Sequence, residues 1–174
     1  MIHVLDDVTS PETNKELEEY FDKQELSPLI ETVPTKVDTI YQQTPYEKEI
    51  SCDTIILDDD IFNVTKVLFP VISAMNPIVG DVLMGSIRMN LINNPKSENH
   101  TPFHRDYPNE HWIGIYYIND SDGDTIVFDD GEAKYISPKR DRLLFFPGQF
   151  HAIDLKKDIV NRKIVNYAFA LKNP

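Results

Sequence analysis

Trp112-Ile113-Gly114-Ile115-Tyr116-Tyr117-Ile118, then Asn119-Asp120-Ser121-Asp122-Gly123-Asp124, then Thr125-Ile126-Val127-Phe128: two apolar runs rich in β-branched and aromatic residues flank a polar turn. Such runs bounded by Asn, Asp, Ser and Gly predict two strands and a connecting turn. Further along, Asp130-Gly131 is a second tight-turn signal, followed by a strand near Lys134–Ile136. Arg142–Phe146, Phe150–Leu155 and Lys163–Leu171 continue the series. On the other side, Val82–Leu91 reads as a strand and Asn93 to Ser97 as a polar loop.

Before residue 81 the pattern is different. Thr9-Ser10-Pro11-Glu12 has the form of a capping box with Pro near the first helical position. Leu17, Tyr20 and Phe21 follow at helical spacing, which predicts a helix over about residues 10–24. Residues 25–58 carry Pro28, Pro34 and Pro45 between β-rich pieces, Val37–Tyr41 and Thr54–Leu57, and read as strands and loops laid over a core, a possible lid. Asp58-Asp59-Asp60 resembles an acidic helix start, and Ile61 to Met75 supplies a second apolar-rich helix. Pro70 is expected to kink or split it. Two helices and about eight short strands predict one mostly β domain over 1–174: a helical and irregular support region, 1–80, and a jelly-roll or cupin-like β core, 81–174.

The chain has 174 residues, enough for one domain with a sizeable core. Its formal net charge is -12, and all of the excess lies in residues 1–60, which hold 4 Lys/Arg against 16 Asp/Glu. That argues against polyanion binding, so nucleic acid is not the expected partner. Lys134, Lys139, Arg140 and Arg142 cluster late, and a solvated hairpin accounts for them. No apolar run is long enough to span a membrane, and the N-terminus lacks the features of a signal peptide. A single cysteine, Cys52, excludes an internal disulfide, so a cytoplasmic home is the simplest expectation. Cys52 itself is expected to be buried or inert.

His104-Arg105-Asp106 is the stretch with chemical promise. Residues two apart on a strand share a face, so His104 and Asp106 can converge while a third ligand arrives from another strand. Two imidazoles and a carboxylate on one face of a metal suit a non-haem Fe(II) centre. The triplet alone is weak, because 5 His and 18 Asp in this chain give about half a His-x-Asp by chance. Two partners strengthen it: His151, after the Pro147-Gly148 turn, and Arg162, at the start of the last strand. His100 and His111 flank the triplet and are alternative ligands or exposed loop residues. Asp120-Ser121-Asp122-Gly123-Asp124 lacks the Gly and Glu positions of a calcium loop and reads as a turn.

Together these pieces resemble the 2-oxoglutarate- and Fe(II)-dependent dioxygenases, above all the small prolyl-hydroxylase-like members, including those of bacteriophages. The resemblance covers about residues 82–171 and rests on Arg88-Met89-Asn90-Leu91, His104-Arg105-Asp106, Tyr116-Tyr117-Ile118-Asn119 and Gly123-Asp124-Thr125-Ile126-Val127-Phe128. Pro138-Lys139-Arg140-Asp141-Arg142-Leu143, His151 and Arg162-Lys163-Ile164-Val165-Asn166 complete it. It implies a double-stranded β-helix in which His104, Asp106 and His151 bind Fe(II). It also implies that Arg162 holds the distal carboxylate of 2-oxoglutarate.

The family departs from this chain at Ile164, where it often has Ser, and at Asp141, where it often has Gly. Loss of that hydroxyl makes Lys163 a rival anchor, although Arg162 and Lys163 point to opposite faces. Asn90, Tyr116, Tyr117 and Trp112 are candidates for the pocket wall, and core packing accounts equally well for the aromatics. The implied reaction consumes O2 and 2-oxoglutarate, releases succinate and CO2, and hydroxylates a substrate. A peptidyl proline leads the expected substrates, ahead of a free amino acid or other small molecule, with a nucleobase last. A cupin enzyme that does not use 2-oxoglutarate and a non-catalytic jelly-roll binding module remain as alternatives.

Overall fold

The computed structural model of the chain describes residues 1–23, 51–55, 61–94, 100–107 and 110–171. The strand expected at Val37–Tyr41 and the acidic helix start at Asp58–Asp60 lie outside them, as does most of the 25–58 segment. The described elements are β1 (His3–Leu5), α1 (Pro11–Lys23), β2 (Ser51–Ile55), α2 (Ile61–Val79), β3 (Val82–Asn94), β4 (Trp112–Tyr117), β5 (Thr125–Asp129), β6 (Glu132–Ile136), β7 (Arg142–Pro147), β8 (His151–Ile153) and β9 (Ile159–Leu171).

Two antiparallel sheets result. The larger has the order β1-β7-β4-β9-β3-β2 and the smaller β6-β5-β8. Both edge strands of the larger sheet come from the first 55 residues, so the N-terminal part is woven into the β core as well as resting on it. Alternation along β4 shows how the layers form. Ile113, Ile115 and Tyr117 join Val127, Ile136, Leu144, Phe146 and Ile164 in the core between the sheets. Tyr116 points the other way, to Leu17, Phe21, Val71 and Met75 of the two helices. Because both faces of the larger sheet are covered, β4 is apolar almost throughout rather than at every second residue.

Local sequence explains most boundaries. Ser10, not Thr9, caps α1: its Oγ accepts from the backbone N–H of Thr13 at 3.1 Å, and Pro11 occupies the first helical position. Asp130 and Gly131 both have positive φ, 52° and 82°, as a two-residue hairpin turn of this kind requires. Gly123 has φ 85°, and a Cβ there would collide with the Ile159 side chain, so a side chain at this position is disfavoured on both counts. The acidic turn around it is tied into the fold, with Asp122 paired to Lys157 at 2.8 Å and Asp120 accepting from the Arg140 N–H at 2.8 Å.

Of the two outcomes expected at Pro70, a kink or a split, the split does not occur: α2 runs through both Pro70 and Pro77. A proline removes one helical hydrogen bond, but the fully buried Val71 and Met75 hold the following turns against the sheet. Packing overrides the local break.

Asp141 has φ 60°, a conformation that Asp tolerates better than most residues. Its carboxylate explains why Gly does not stand there. It accepts from the Thr9 N–H at 3.0 Å, the Thr9 hydroxyl at 2.9 Å and the buried Tyr116 hydroxyl at 2.7 Å. Asp141 thereby ties the entry of α1 to β4. Asp141→Ala is expected to cost about 3 kcal/mol of unfolding free energy, from lost bonds and left-handed strain. Asp141→Gly loses the bonds without the strain and is expected to cost about 1 kcal/mol less. Chemical denaturation of the two variants checks this, and equal losses would remove the strain component.

Candidate metal centre

The segment 100–104 adds itself to the small sheet beside β8. Single antiparallel bridges join His100 to Asp154 and His104 to His151, with Thr101 bonding Ile153 between them. His104 and His151 exchange both backbone hydrogen bonds at 3.0 Å, so their side chains leave the same side of the sheet. On its other flank His151 pairs with Val127, a core residue, which fixes that side as the interior.

The result is a convergence on one oxygen. Nε2 of His104 lies 3.4 Å and Nε2 of His151 3.5 Å from Oδ1 of Asp106, and the ring centroids of the histidines are 4.3 Å apart. One ligand atom from each of these three residues falls within 4.8 Å of the others, and no other such His/Cys/Asp/Glu group occurs among the described residues. Behind each ring a carbonyl sits at Nδ1: Pro102 O at 3.1 Å for His104 and Gln149 O at 3.2 Å for His151. A carbonyl only accepts, so each Nδ1 carries the proton and each Nε2 presents its lone pair to the centre.

Electrostatics agree with this tautomer at His151, whereas at His104 the contact with Asp106 favours a proton on Nε2, which a bound metal would displace. Burial, with the neighbouring His104, holds the His151 pKa down to about 4, so that ring stays neutral near pH 7. Surrounding protein opposes charge on His104, but the hydrogen bond and charge of Asp106 outweigh it and raise its pKa. Burial alone raises the Asp106 carboxyl, and the two histidines overcome that and hold it low. His151 is almost fully buried, while His104 is about half exposed, so the centre has a wall and a mouth.

Alternation also sorts the other site residues. On β9, Arg162 points inward and is 1% exposed. It donates to Gly123 O at 2.7 Å and to Thr125 Oγ1 at 2.8 Å, and its guanidinium lies 5.3 Å from the Tyr117 ring centre. Thr125 is two positions along β5 from Val127, the residue opposite His151. The buried cation and the three converging residues therefore share one interior. Asn90 faces this interior too, opposite Ile164, and its buried Oδ1 has no hydrogen-bond partner.

Two other sequence candidates lie on the opposite face. Lys163 pairs with Asp22 at 2.5 Å and Glu18 at 3.7 Å on α1. The Tyr116 hydroxyl bonds Asp141 and Asn14 on the same helical side. Tyr117, its neighbour, is the tyrosine that reaches Arg162. Trp112 lies at the end of the larger sheet, stacked on Phe169 at 6.1 Å. His100 packs at a tilt against Phe103 and does not join the three converging residues; His111 is near enough to influence Asp106 and His151 electrostatically.

The late basic cluster is consumed by ion pairs: Lys134 with Glu132, Lys139 and Arg142 with Asp6, and Arg140 with Glu18. Sequence reasoning missed Thr125 and Gln149. Their signals are register and a carbonyl, neither of which a sequence displays.

No family model matches the chain, and no curated protein matches it in sequence. Solved structures do share its fold. A prolyl hydroxylase from Trichoplax adhaerens, in complex with a hypoxia inducible factor peptide fragment, superposes with a TM-score of 0.60 at 16% identity, covering 97% of this chain and 83% of that one. The viral collagen prolyl hydroxylase of Paramecium Bursaria Chlorella virus-1, in its 2OG complex, gives 0.58 at 12% identity over 98% and 96%. A non-haem alpha-ketoglutarate-dependent epimerase from nogalamycin biosynthesis gives 0.64 at 9% identity over 98% and 77%. At these identities the likeness is one of fold. Among the described residues no helix is long and apolar enough to cross a membrane.

Proposed function

We propose that this chain is a non-haem Fe(II) oxygenase that uses 2-oxoglutarate and O2, with its sandwich serving as the double-stranded β-helix of such enzymes. The observation that carries this reading is the convergence of His104 Nε2, His151 Nε2 and Asp106 Oδ1, with a carbonyl behind each imidazole. The residues fit the metal. An ion bonded at about 2.1 Å to neighbouring octahedral positions holds its ligand atoms about 3 Å apart, close to the 3.4 and 3.5 Å separations here. The two carbonyls fix tautomer and ring orientation, as outer partners of metal-bound histidines do.

Bound there with 2-oxoglutarate and O2, iron supplies the oxidation that turns the cosubstrate into succinate and CO2 and places one oxygen on the substrate. The chain's own work is positional. Arg162 presents a fixed cation inside the sandwich for the far carboxylate of 2-oxoglutarate. Tyr117 and Thr125 hold that guanidinium, and Asn90 offers an unmet polar atom beside it. Ile92, Ile164 and Phe146 exclude water from the same interior. No side chain needs to act as general base at the reacting carbon.

A prolyl peptide or protein is the proposed substrate. Support comes from the prolyl hydroxylases that share the fold, one of them with a peptide fragment bound. The reading is tested by anaerobic addition of Fe(II) and then 2-oxoglutarate. A weak visible charge-transfer band is expected on the second addition, and a proline-containing peptide library is expected to gain one oxygen when O2 is admitted. Metal retention without the band would point instead to a cupin enzyme that does not use 2-oxoglutarate. Failure to retain any divalent metal would point to a binding module.

A further inference from the structure

Arg105 stands between two metal-site residues without joining them. Its neighbours His104 and Asp106 point inward, and alternation sends Arg105 the other way. There its Nε donates to the Gly148 carbonyl at 2.6 Å, which fixes the guanidinium plane and uses one of five N–H donors. Among the described residues, no hydrogen-bond or ion-pair partner engages its terminal amino groups. In a chain of net charge -12 whose late basic residues are paired with carboxylates, a guanidinium fork that no described residue engages is out of keeping with ordinary surface pairing.

The fork borders a groove of about 540 Å³. Arg105 and Glu110 are its charged lining, and Trp112, Phe128, Pro147 and Phe150 are its apolar walls. Phe128 and Phe150 are 38% and 42% exposed, an aromatic surface left open to solvent. None of His104, Asp106 and His151 lines the groove, but it runs along the two segments that carry them, since Arg105 follows His104 and Phe150 precedes His151. Glu110 lines the groove with no ion pair to Arg105, so among the described residues the cation is unoccupied and the local charge is balanced.

We infer that Arg105 selects the substrate, taking a single carboxylate through its two terminal amino groups while the apolar remainder lies on Phe128, Phe150 and Trp112. A planar fork matches a carboxylate with two parallel charge-assisted hydrogen bonds. A phosphomonoester, with its second negative charge, meets the repulsion of Glu110 beside the fork, which sets phosphomonoesters aside. The inference rests on the oxygenase reading and narrows its substrate to molecules bearing a carboxylate beside an apolar group. Two sources offer that chemistry: the α-carboxylate of a free amino acid, or an acidic side chain next to the reacting residue of a peptide.

Trp112 is the only tryptophan of the chain and lines the groove, so its fluorescence reads occupancy directly without metal or turnover. The full chain is titrated with L-phenylalanine, with N-acetyl-Glu-Phe-amide and with the uncharged N-acetyl-Phe-amide. A saturable change with one or both carboxylates, and roughly tenfold weaker binding of the uncharged amide, is expected. L-phenylalanine binding identifies the free amino acid as the source, and the blocked peptide identifies the acidic side chain.

Arg105→Gln is expected to weaken the bound carboxylate by roughly tenfold, and Arg105→Lys by less, because a point charge replaces the fork. Arg105 is exposed, so both variants should fold, with the melting temperature lowered only by loss of the bond to the Gly148 carbonyl. Equal binding of acid and amide, an unchanged affinity in Arg105→Gln, or no response to any probe overturns the inference. A chain that forms the Fe(II)–2-oxoglutarate band yet ignores every carboxylate keeps the oxygenase reading and loses this one. Carboxylate binding through Arg105 without the band does the reverse.

Discussion

Asp106→Ala abolishes Fe(II) retention and with it all iron-dependent formation of succinate. Asp106 is the sole carboxylate of the centre, and both Nε2 atoms are aimed at its Oδ1, at 3.4 and 3.5 Å. Without it a dication meets two neutral imidazoles and no anionic ligand. Even the outer partners of metal ligands cost roughly 10- to 100-fold in affinity when removed, so loss of a direct ligand is expected to exceed about 100-fold. His104→Ala and His151→Ala should act alike. The Asp106 side chain is 27% exposed and holds no strand in place, so the variant should fold normally. His100→Ala is the control: its ring packs at a tilt against Phe103 and its Nδ1 lies 2.7 Å from Thr101 O, and it should retain metal. Full metal retention by Asp106→Ala, measured by equilibrium dialysis with Mn(II) or Fe(II), would overturn the ligand set.

What the sequence discloses here follows from distance along the chain. Strand alternation and turn residues are local, and they place β4, the Asp130-Gly131 hairpin and the β7–β8 turn correctly. Local spacing also puts His104 and Asp106 on one face. The partnership with His151 needs a bridge between residues 47 positions apart, and only the assembled small sheet provides it.

Two features escaped because packing overruled local chemistry. Pro70 is a helix breaker that stays inside a helix, since buried Val71 and Met75 dominate. β1 is a three-residue strand, too short to show a period, and is fixed by pairing with β7. Capping was read one residue early because Thr9 and Ser10 are equally good caps on paper. The structure gives Thr9 to Asp141 instead. Tyr116 and Tyr117 show the same limit: adjacent and chemically identical, they are separated only by knowing which face of β4 meets the helices.

That same alternation separates Arg162 from Lys163, and their substitution gives the second large effect. Arg162 is an interior cation near the metal centre, whereas Lys163 is spent on α1 through Asp22 and Glu18. Arg162→Gln is expected to weaken 2-oxoglutarate by roughly 100-fold, the equivalent of about 3 kcal/mol for a lost charge-assisted double hydrogen bond. Lys163→Ala should leave that affinity within about twofold. Its effect falls on stability instead, at about 1–2 kcal/mol, as the end of α1 loses a mostly buried partner. Because Arg162 also bonds Gly123 and Thr125, its replacement will lower stability too, and melting temperature alone cannot separate the two residues. The discriminating quantity is the rise in each variant's melting temperature on adding saturating 2-oxoglutarate with Mn(II), relative to its own ligand-free value. Lys163→Ala should keep the parent's rise and Arg162→Gln should lose it. Arg162→Lys, which keeps a positive charge on a shorter reach without the fork, should recover part of it. The opposite ranking would move the anchor to the helical face of β9, where Ile164 no longer matters and the interior cation would need another purpose.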